Sequence, residues 1–147
     1  MAITRRDGFY YGESHDDLRT EILRYSRSVG YDAQHYRDAV CTCGHDTFTL
    51  LLNDDEGVAA RTCTACETLH AIGDSDAYID DVESVWQPEC VCGCTTFRIS
   101  AAVSLYADSE DVRWFYLGLF CTDCKLIGCY GDWKNEYIGY QGLLDKV

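Results

Sequence analysis

The chain has 147 residues, with 25 acidic and 12 basic side chains, and therefore a formal net charge of −13. Residues 1–40 hold six of the basic and seven of the acidic residues, so nearly all of the excess negative charge follows them. A phosphate backbone repels such a surface, because nucleic-acid affinity comes largely from Lys and Arg displacing counterions. This composition argues against direct nucleic-acid binding and favours a basic protein partner.

The sequence has neither the long apolar run of a membrane span nor, in its first residues, the apolar region of a secretory signal. We therefore expect a cytoplasmic protein that does not contact a membrane. Cytosolic thiols are kept reduced, so the ten cysteines of this chain favour metal binding over disulfides. Disulfides, or buried free thiols acting as small apolar side chains, are the alternatives.

Residues 1–39 form a headpiece with one predicted helix. Ser14 is a typical N-cap and Gly30 a typical stop signal. Between them, apolar residues such as Leu18 and Ile22 recur at helical spacing. We expect an amphipathic helix that packs over the rest of the protein.

Residues 40–73 form the first of two similar units. The unit opens with "VCTCGHDTF", which contains Cys41 and Cys43, and it closes with the pair Cys63 and Cys66. Between the two pairs, apolar segments flank the acidic turn "NDDEG", a pattern typical of a β-hairpin.

A linker, residues 74–88, leads to the second unit in residues 89–147, which ends in an aromatic tail. The second unit opens with "ECVCGCTTF" and repeats the order of cysteine pair, hairpin and cysteine pair. This repeated frame predicts an internal duplication. The four corresponding cysteines are Cys90, Cys92, Cys121 and Cys124.

Two close cysteine pairs separated by a hairpin resemble the zinc-ribbon class, and the chain contains the arrangement twice. The resemblance implies a small, metal-stabilised α+β protein, with an N-terminal helix and two zinc-ribbon-like β units. It also implies two structural Zn²⁺ ions, one per unit. Zinc ribbons usually have two residues between the first two cysteines, whereas each unit here has one. Iron can also be held by four cysteines, so the spacing does not separate zinc from iron.

His45 and Cys94 occupy the same third position in the two opening sequences. Both residue types bind zinc, so Cys43 with His45, and Cys92 with Cys94, form an alternative first half of each site. We prefer the leading cysteine pairs, because they give both units the same all-cysteine ligand set.

We predict that the protein is not an enzyme. A catalytic zinc keeps one position open for water, whereas each unit offers four thiols. The sequence contains no His-x-Glu deaminase motif, no His-Glu-x-x-His and no phosphate-binding glycine motif. His70 and Cys129 do not align between the units, and we expect them to be core or surface residues.

The most specific functional hypothesis is that this acidic zinc protein binds another protein. A cationic, nucleic-acid-acting partner whose site it occludes would make it an inhibitor of the immunity-protein or antitoxin type. The alternative is an accessory zinc-ribbon protein of transcription or RNA machinery, which acts through protein contacts or through the arginines of its headpiece.

Overall fold

The computed structural model describes residues 3–147, which form nine β-strands and two α-helices. The strands are β1 (Thr4–Arg6), β2 (Phe9–Tyr11), β3 (His35–Asp38), β4 (Phe48–Asn53), β5 (Val58–Cys63), β6 (Leu69–Ala71), β7 (Phe97–Leu105), β8 (Val112–Cys121) and β9 (Leu126–Lys134). The helices are α1 (His15–Val29) and α2 (Tyr140–Leu144). Within the described residues, no helix is long and apolar enough to cross a membrane.

All nine strands join one antiparallel sheet in the order β1-β2-β9-β8-β7-β4-β5-β6, and β3 also pairs with β7. The hairpins of the two cysteine-bearing units pair within the sheet at one residue pair, in which Phe48 of β4 faces Phe97 of β7. Strand β3 pairs with residues 100–103, further along β7. The coarse prediction of a small α+β protein with two four-cysteine groups is confirmed.

The central strands β7 and β8 are buried on both faces. Alternate residues point to opposite sides, so Ala101 and Leu117 belong to one buried cluster, whereas Ala102 and Tyr116 belong to another. Side chains of β4, β5 and α2 complete the first cluster, and side chains of α1 complete the second. This double coverage explains why both strands read as long apolar runs rather than as an alternating pattern.

Helix α1 has a defined cap at each end. The Ser14 side-chain oxygen accepts a hydrogen bond of 3.3 Å from the Asp17 N–H. At the other end, Gly30 has a left-handed φ of 102°, and its N–H donates to the Ser26 carbonyl at 3.0 Å. These caps satisfy backbone groups that the helix itself leaves unpaired.

The helix lies unusually close to β8 at Gly118. A Cβ atom at this position would lie 2.5 Å from Cδ1 of Ile22, so a side chain here would displace the helix. Leu18 and Ile22 are both fully buried at this contact. Burial of side chains of this size stabilises the fold by about 1.5–3 kcal/mol each.

The headpiece and the linker differ from the sequence-based description. The pattern of residues 1–39 predicts only a helix, whereas β1, β2 and β3 also lie there. These strands have three or four residues each, which is too short for recognisable alternation. The linker contains 3₁₀ turns at Ser75–Ala77 and Ile79–Asp81, and Trp86 then exchanges backbone hydrogen bonds of 2.8 and 2.9 Å with Leu52.

Candidate metal centres

The first candidate centre joins the loop before β4 to the turn after β5. Cys41 and Cys43 come from the loop, Cys63 ends β5, and Cys66 lies in the following turn. The Sγ atoms of Cys41 and Cys66 are 3.5 Å apart, and those of Cys43 and Cys63 are 3.6 Å apart. All four sulfurs lie within 4.8 Å of one another.

The second candidate centre has the same arrangement around β7 and β8. The Sγ atoms of Cys90 and Cys124 are 3.5 Å apart, and those of Cys92 and Cys121 are 3.6 Å apart. Again all four sulfurs lie within 4.8 Å of one another. In both centres, therefore, the first cysteine in the sequence lies beside the fourth, and the second lies beside the third.

The sulfur geometry suits a bound metal and not a disulfide. Four sulfurs at about 2.3 Å from a tetrahedral zinc lie about 3.8 Å from one another. The observed separations of 3.5 and 3.6 Å approach that value, whereas a disulfide requires about 2.05 Å. Each group of cysteines can therefore hold a metal ion, and a set of four thiols fits zinc or iron.

A tight turn with the same hydrogen bonds brings together the first two cysteines of each centre. In the first centre, the Cys41 N–H donates to the His45 carbonyl and the Gly44 N–H to the Cys41 carbonyl, both at 2.8 Å. Cys90, Gly93 and Cys94 form the same bonds at 2.8 Å in the second centre. The two glycines have φ values of 92° and 94°, which favour glycine over other residues.

The side chains at the third positions contact threonine hydroxyls and lie outside the four-cysteine groups. His45 Nε2 lies 3.0 Å from the Thr64 hydroxyl, and Cys94 Sγ lies 3.2 Å from the Thr96 hydroxyl. Neither residue belongs to a four-cysteine group. Both contribute to the turn through the main-chain carbonyl, which any residue type provides, so the same backbone accepts His in one unit and Cys in the other.

Each centre combines two buried cysteines, which we call inner, with two more exposed cysteines, which we call outer. The four inner cysteines are buried members of one core cluster: Cys41, Cys63, Cys90 and Cys121. Burial raises the pKa of Cys90 and of Cys121, whereas a backbone N–H at Cys94 lowers the pKa of Cys92. The centres therefore lie at the surface, and two cysteines of each are anchored in the interior.

Neighbouring thiols of the first centre differ in pKa. Hydrogen bonds with the Thr68 side chain and backbone lower the pKa of Cys66 to about 6. The backbone at His45 lowers the pKa of Cys43, but desolvation and the neighbouring thiols outweigh it and raise the value to about 12. Adjacent thiolates repel one another, so full ionisation of the four requires a cation among them. A divalent metal supplies that charge and releases the remaining protons.

Arg61 of β5 gives the first centre a buried positive charge. Its Nε donates to the Val147 carbonyl oxygen at 2.9 Å, and its guanidinium carbon lies 4.5 Å from the centre of the Phe48 ring. Burial lowers the pKa of Arg61, and the nearby thiols, Cys41 foremost, oppose that lowering. This cation offsets the negative charge that four thiolates retain around a divalent metal.

The second centre has a neutral hydroxyl instead of a cation. Leu119 stands two residues before Cys121, where Arg61 stands relative to Cys63. The Tyr130 side chain packs against the cluster that contains Cys90, and burial raises the pKa of Tyr130, which keeps the hydroxyl protonated. A single arginine in a strand is not part of a metal-site motif. Only the difference between the aligned units, with Arg61 in one and Leu119 in the other, could have drawn attention to this residue.

Two candidate residues outside the centres have structural partners. His70 Nε2 lies 2.6 Å from the Lys146 carbonyl oxygen. Cys129 lines a cleft of about 410 Å³, where Arg24 and Glu21 form two hydrogen bonds of 2.6 Å. Burial raises the pKa of Cys129, which keeps the thiol protonated, the opposite of an activated nucleophile.

No protein-family model, no curated protein and no solved structure matches the chain. The two four-cysteine groups are compatible with zinc-ribbon-like units. Their interpretation therefore rests on donor chemistry and geometry alone.

Proposed function

We propose that each centre binds one structural Zn²⁺ ion through its four cysteines. The observation that supports this proposal is the pair of four-sulfur groups, each with all sulfurs within 4.8 Å. Four thiolates complete the tetrahedral shell that zinc adopts in structural sites and leave no position for a catalytic water. When bound, the metal supplies a cross-link between the loop before each hairpin and the turn after its second strand.

The work of the protein is then binding rather than catalysis, and its partner is a basic protein. Each tetrathiolate zinc adds a formal charge of 2 − 4 = −2, which takes the chain from −13 to −17. Seven of the basic side chains are paired with carboxylates: Arg19, Arg24, Arg27, Arg37, Arg98, Lys125 and Lys134. A cationic protein surface complements this charge distribution, whereas a phosphate backbone does not.

The role that fits these properties is occlusion of a cationic, nucleic-acid-acting protein, as an immunity protein or antitoxin does. An accessory role in transcription or RNA machinery through the headpiece arginines has less support. The helix arginines Arg19, Arg24 and Arg27 each lie within reach of a carboxylate of the same molecule.

Affinity capture with the zinc-loaded protein tests this proposal. A cation-exchange-enriched extract from the source cells, treated with nuclease, is passed over the immobilised protein at about 0.15 M salt, where surface charges are partly screened. We expect a basic protein to be retained and then eluted by salt, and its nucleic-acid-directed activity to fall when the zinc protein is added. Retention that salt does not weaken would contradict the proposal. Direct binding of duplex DNA or single-stranded RNA at the same salt would favour the accessory role instead.

A further inference from the structure

We propose that the turn between β4 and β5, the linker after β6 and the segment after β9 together form the docking surface for a cationic segment of a protein partner. This inference rests on the proposed function, because it locates the surface that the basic partner contacts. We call this surface the acidic face and define it by five carboxylate residues: Glu56, Asp74, Asp81, Glu83 and Glu136.

Hydrogen bonds from a side chain and from the backbone hold the turn and the linker together. Asn53 Nδ2 donates to the Ser84 carbonyl at 2.8 Å, next to the backbone pairing of Leu52 with Trp86. Two neighbouring clefts of about 230 and 320 Å³ open on this side of the molecule, and Glu56 lines both. The turn and the linker therefore present one continuous surface.

The charge of the acidic face is strongly one-sided. The two clefts are lined by the five carboxylates and by a single cationic side chain, Lys134, which pairs with Glu136 at 2.9 Å. Within residues 3–147, Glu56, Asp81 and Glu83 form no ion pair with another side chain. These exposed carboxylates are free to pair with cations of a partner.

Exposed apolar side chains accompany these carboxylates. Tyr78 is 53% exposed, Trp86 is 43% exposed and Val85 is 38% exposed, and all three lie in the linker. Trp133, in the wall of the smaller cleft, is 8% exposed, and its buried indole N–H has no acceptor within the described part of the chain. Tyr and Trp commonly anchor protein interfaces, and a ligand acceptor in this cleft would satisfy the indole N–H.

A protein segment fits the acidic face better than a metal ion does. Within residues 3–147, the groups of side chains close enough together to hold a metal consist only of cysteines. The carboxylates of the acidic face are therefore too dispersed for one small cation. An arginine- or lysine-rich segment matches both their spread and the exposed aromatic rings, since guanidinium groups pair with carboxylates and stack on aromatic faces.

Two charge-matched variants of the zinc-loaded full chain test the location of this surface. The probe is a fluorescein-labelled oligo-arginine peptide, followed by anisotropy at about 0.15 M salt. The face variant is Glu56→Gln, Asp81→Asn and Glu83→Gln. The control variant removes the same number of exposed charges elsewhere: Asp7→Asn, Glu67→Gln and Glu110→Gln. Zinc content and thermal unfolding are measured for both variants, so that only folded, metal-loaded proteins are compared.

We expect the face variant to bind the peptide about tenfold more weakly and the control variant to lose less than about threefold. Amide chemical shifts of the unaltered protein should move mainly within residues 54–57 and 74–86. Equal weakening of the two variants, with shifts spread over the molecule, would overturn the inference while leaving a basic partner in place. No binding of the peptide by the unaltered protein would contradict the basic partner itself.

Discussion

The two cysteine centres share one backbone frame but differ in the side chains around it. Each has the same pair of 2.8 Å backbone hydrogen bonds in its first turn and the same sulfur separations. The first centre has a buried arginine, Arg61, beside its thiols, whereas the second has the neutral Tyr130. This comparison indicates that the backbone turns bring the sulfurs together. The neighbouring side chains determine how well the negative charge of each centre is compensated.

The hairpins that carry the centres also differ in support. Strands β7 and β8 have nine and ten residues, with buried clusters on both faces. Strands β4 and β5 have six residues each, and they contribute residues to only one of those clusters. We therefore expect the first unit to depend more on a bound metal than the second unit does.

The largest expected effect is that of metal removal. Structural zinc contributes about 10–16 kcal/mol of binding free energy that is coupled to folding. After chelation, we expect amides of β4, β5 and β6 to lose hydrogen-exchange protection well before those of β7 and β8. Hydrogen exchange measured by mass spectrometry checks this order. Simultaneous loss of protection in both units would show that they do not differ in their dependence on metal. The matched variants Cys43→Ser and Cys92→Ser, both at outer cysteines, separate the two centres.

The next largest effect concerns the arginine of the first centre. Replacement of a residue that supports metal ligands commonly lowers metal affinity by about 10–100-fold. We expect Arg61→Met to have an effect of this size on the first centre and to leave the second unchanged, as measured by competition with a chromophoric chelator. Arg113→Met removes the same charge from a side chain stacked on Tyr31, and it serves as the control. Equal zinc retention in the two variants would show that Arg61 contributes to packing but not to metal affinity.

A smaller effect is expected at the neutral tyrosine of the second centre. Tyr130→Phe removes a neutral hydroxyl near Cys90 and keeps the ring. We expect a loss of about 1 kcal/mol, or roughly fivefold, in zinc affinity at the second centre. The same chelator competition measures it. A loss larger than that of Arg61→Met would reverse the proposed difference between the centres.

The smallest effects are expected at the third positions. His45→Ala and Cys94→Ala leave the main-chain carbonyl in place, so both proteins should keep two zinc ions per chain. We expect each to change the free energy of unfolding by no more than about 0.5 kcal/mol. Loss of one zinc from either variant, measured by native mass spectrometry, would show that the side chain is a ligand.

The sequence predicts the two cysteine groups well because the signal is local. Short cysteine spacings, the adjacent glycines and the intervening hairpins mark two sites, and the structure has two four-cysteine groups. The contacts around the sites depend on tertiary packing and leave no such signal. The approach of Arg61 to Cys41 depends on the position of β5 in the folded sheet. Strand β3 forms by pairing with a free edge of β7. The internal duplication stays a hypothesis, supported by the matching turns.

The central claim is that two tetrahedral zinc ions are each bound by four cysteine sulfurs. X-ray absorption spectroscopy at the zinc edge, on protein purified without added chelator, tests it most directly when metal content is measured on the same sample. We expect two zinc ions per chain and a shell of four sulfurs at about 2.3 Å, without the outer scattering of an imidazole ring. Nitrogen in the first shell, or metal-free protein with its cysteines in disulfides, would contradict it.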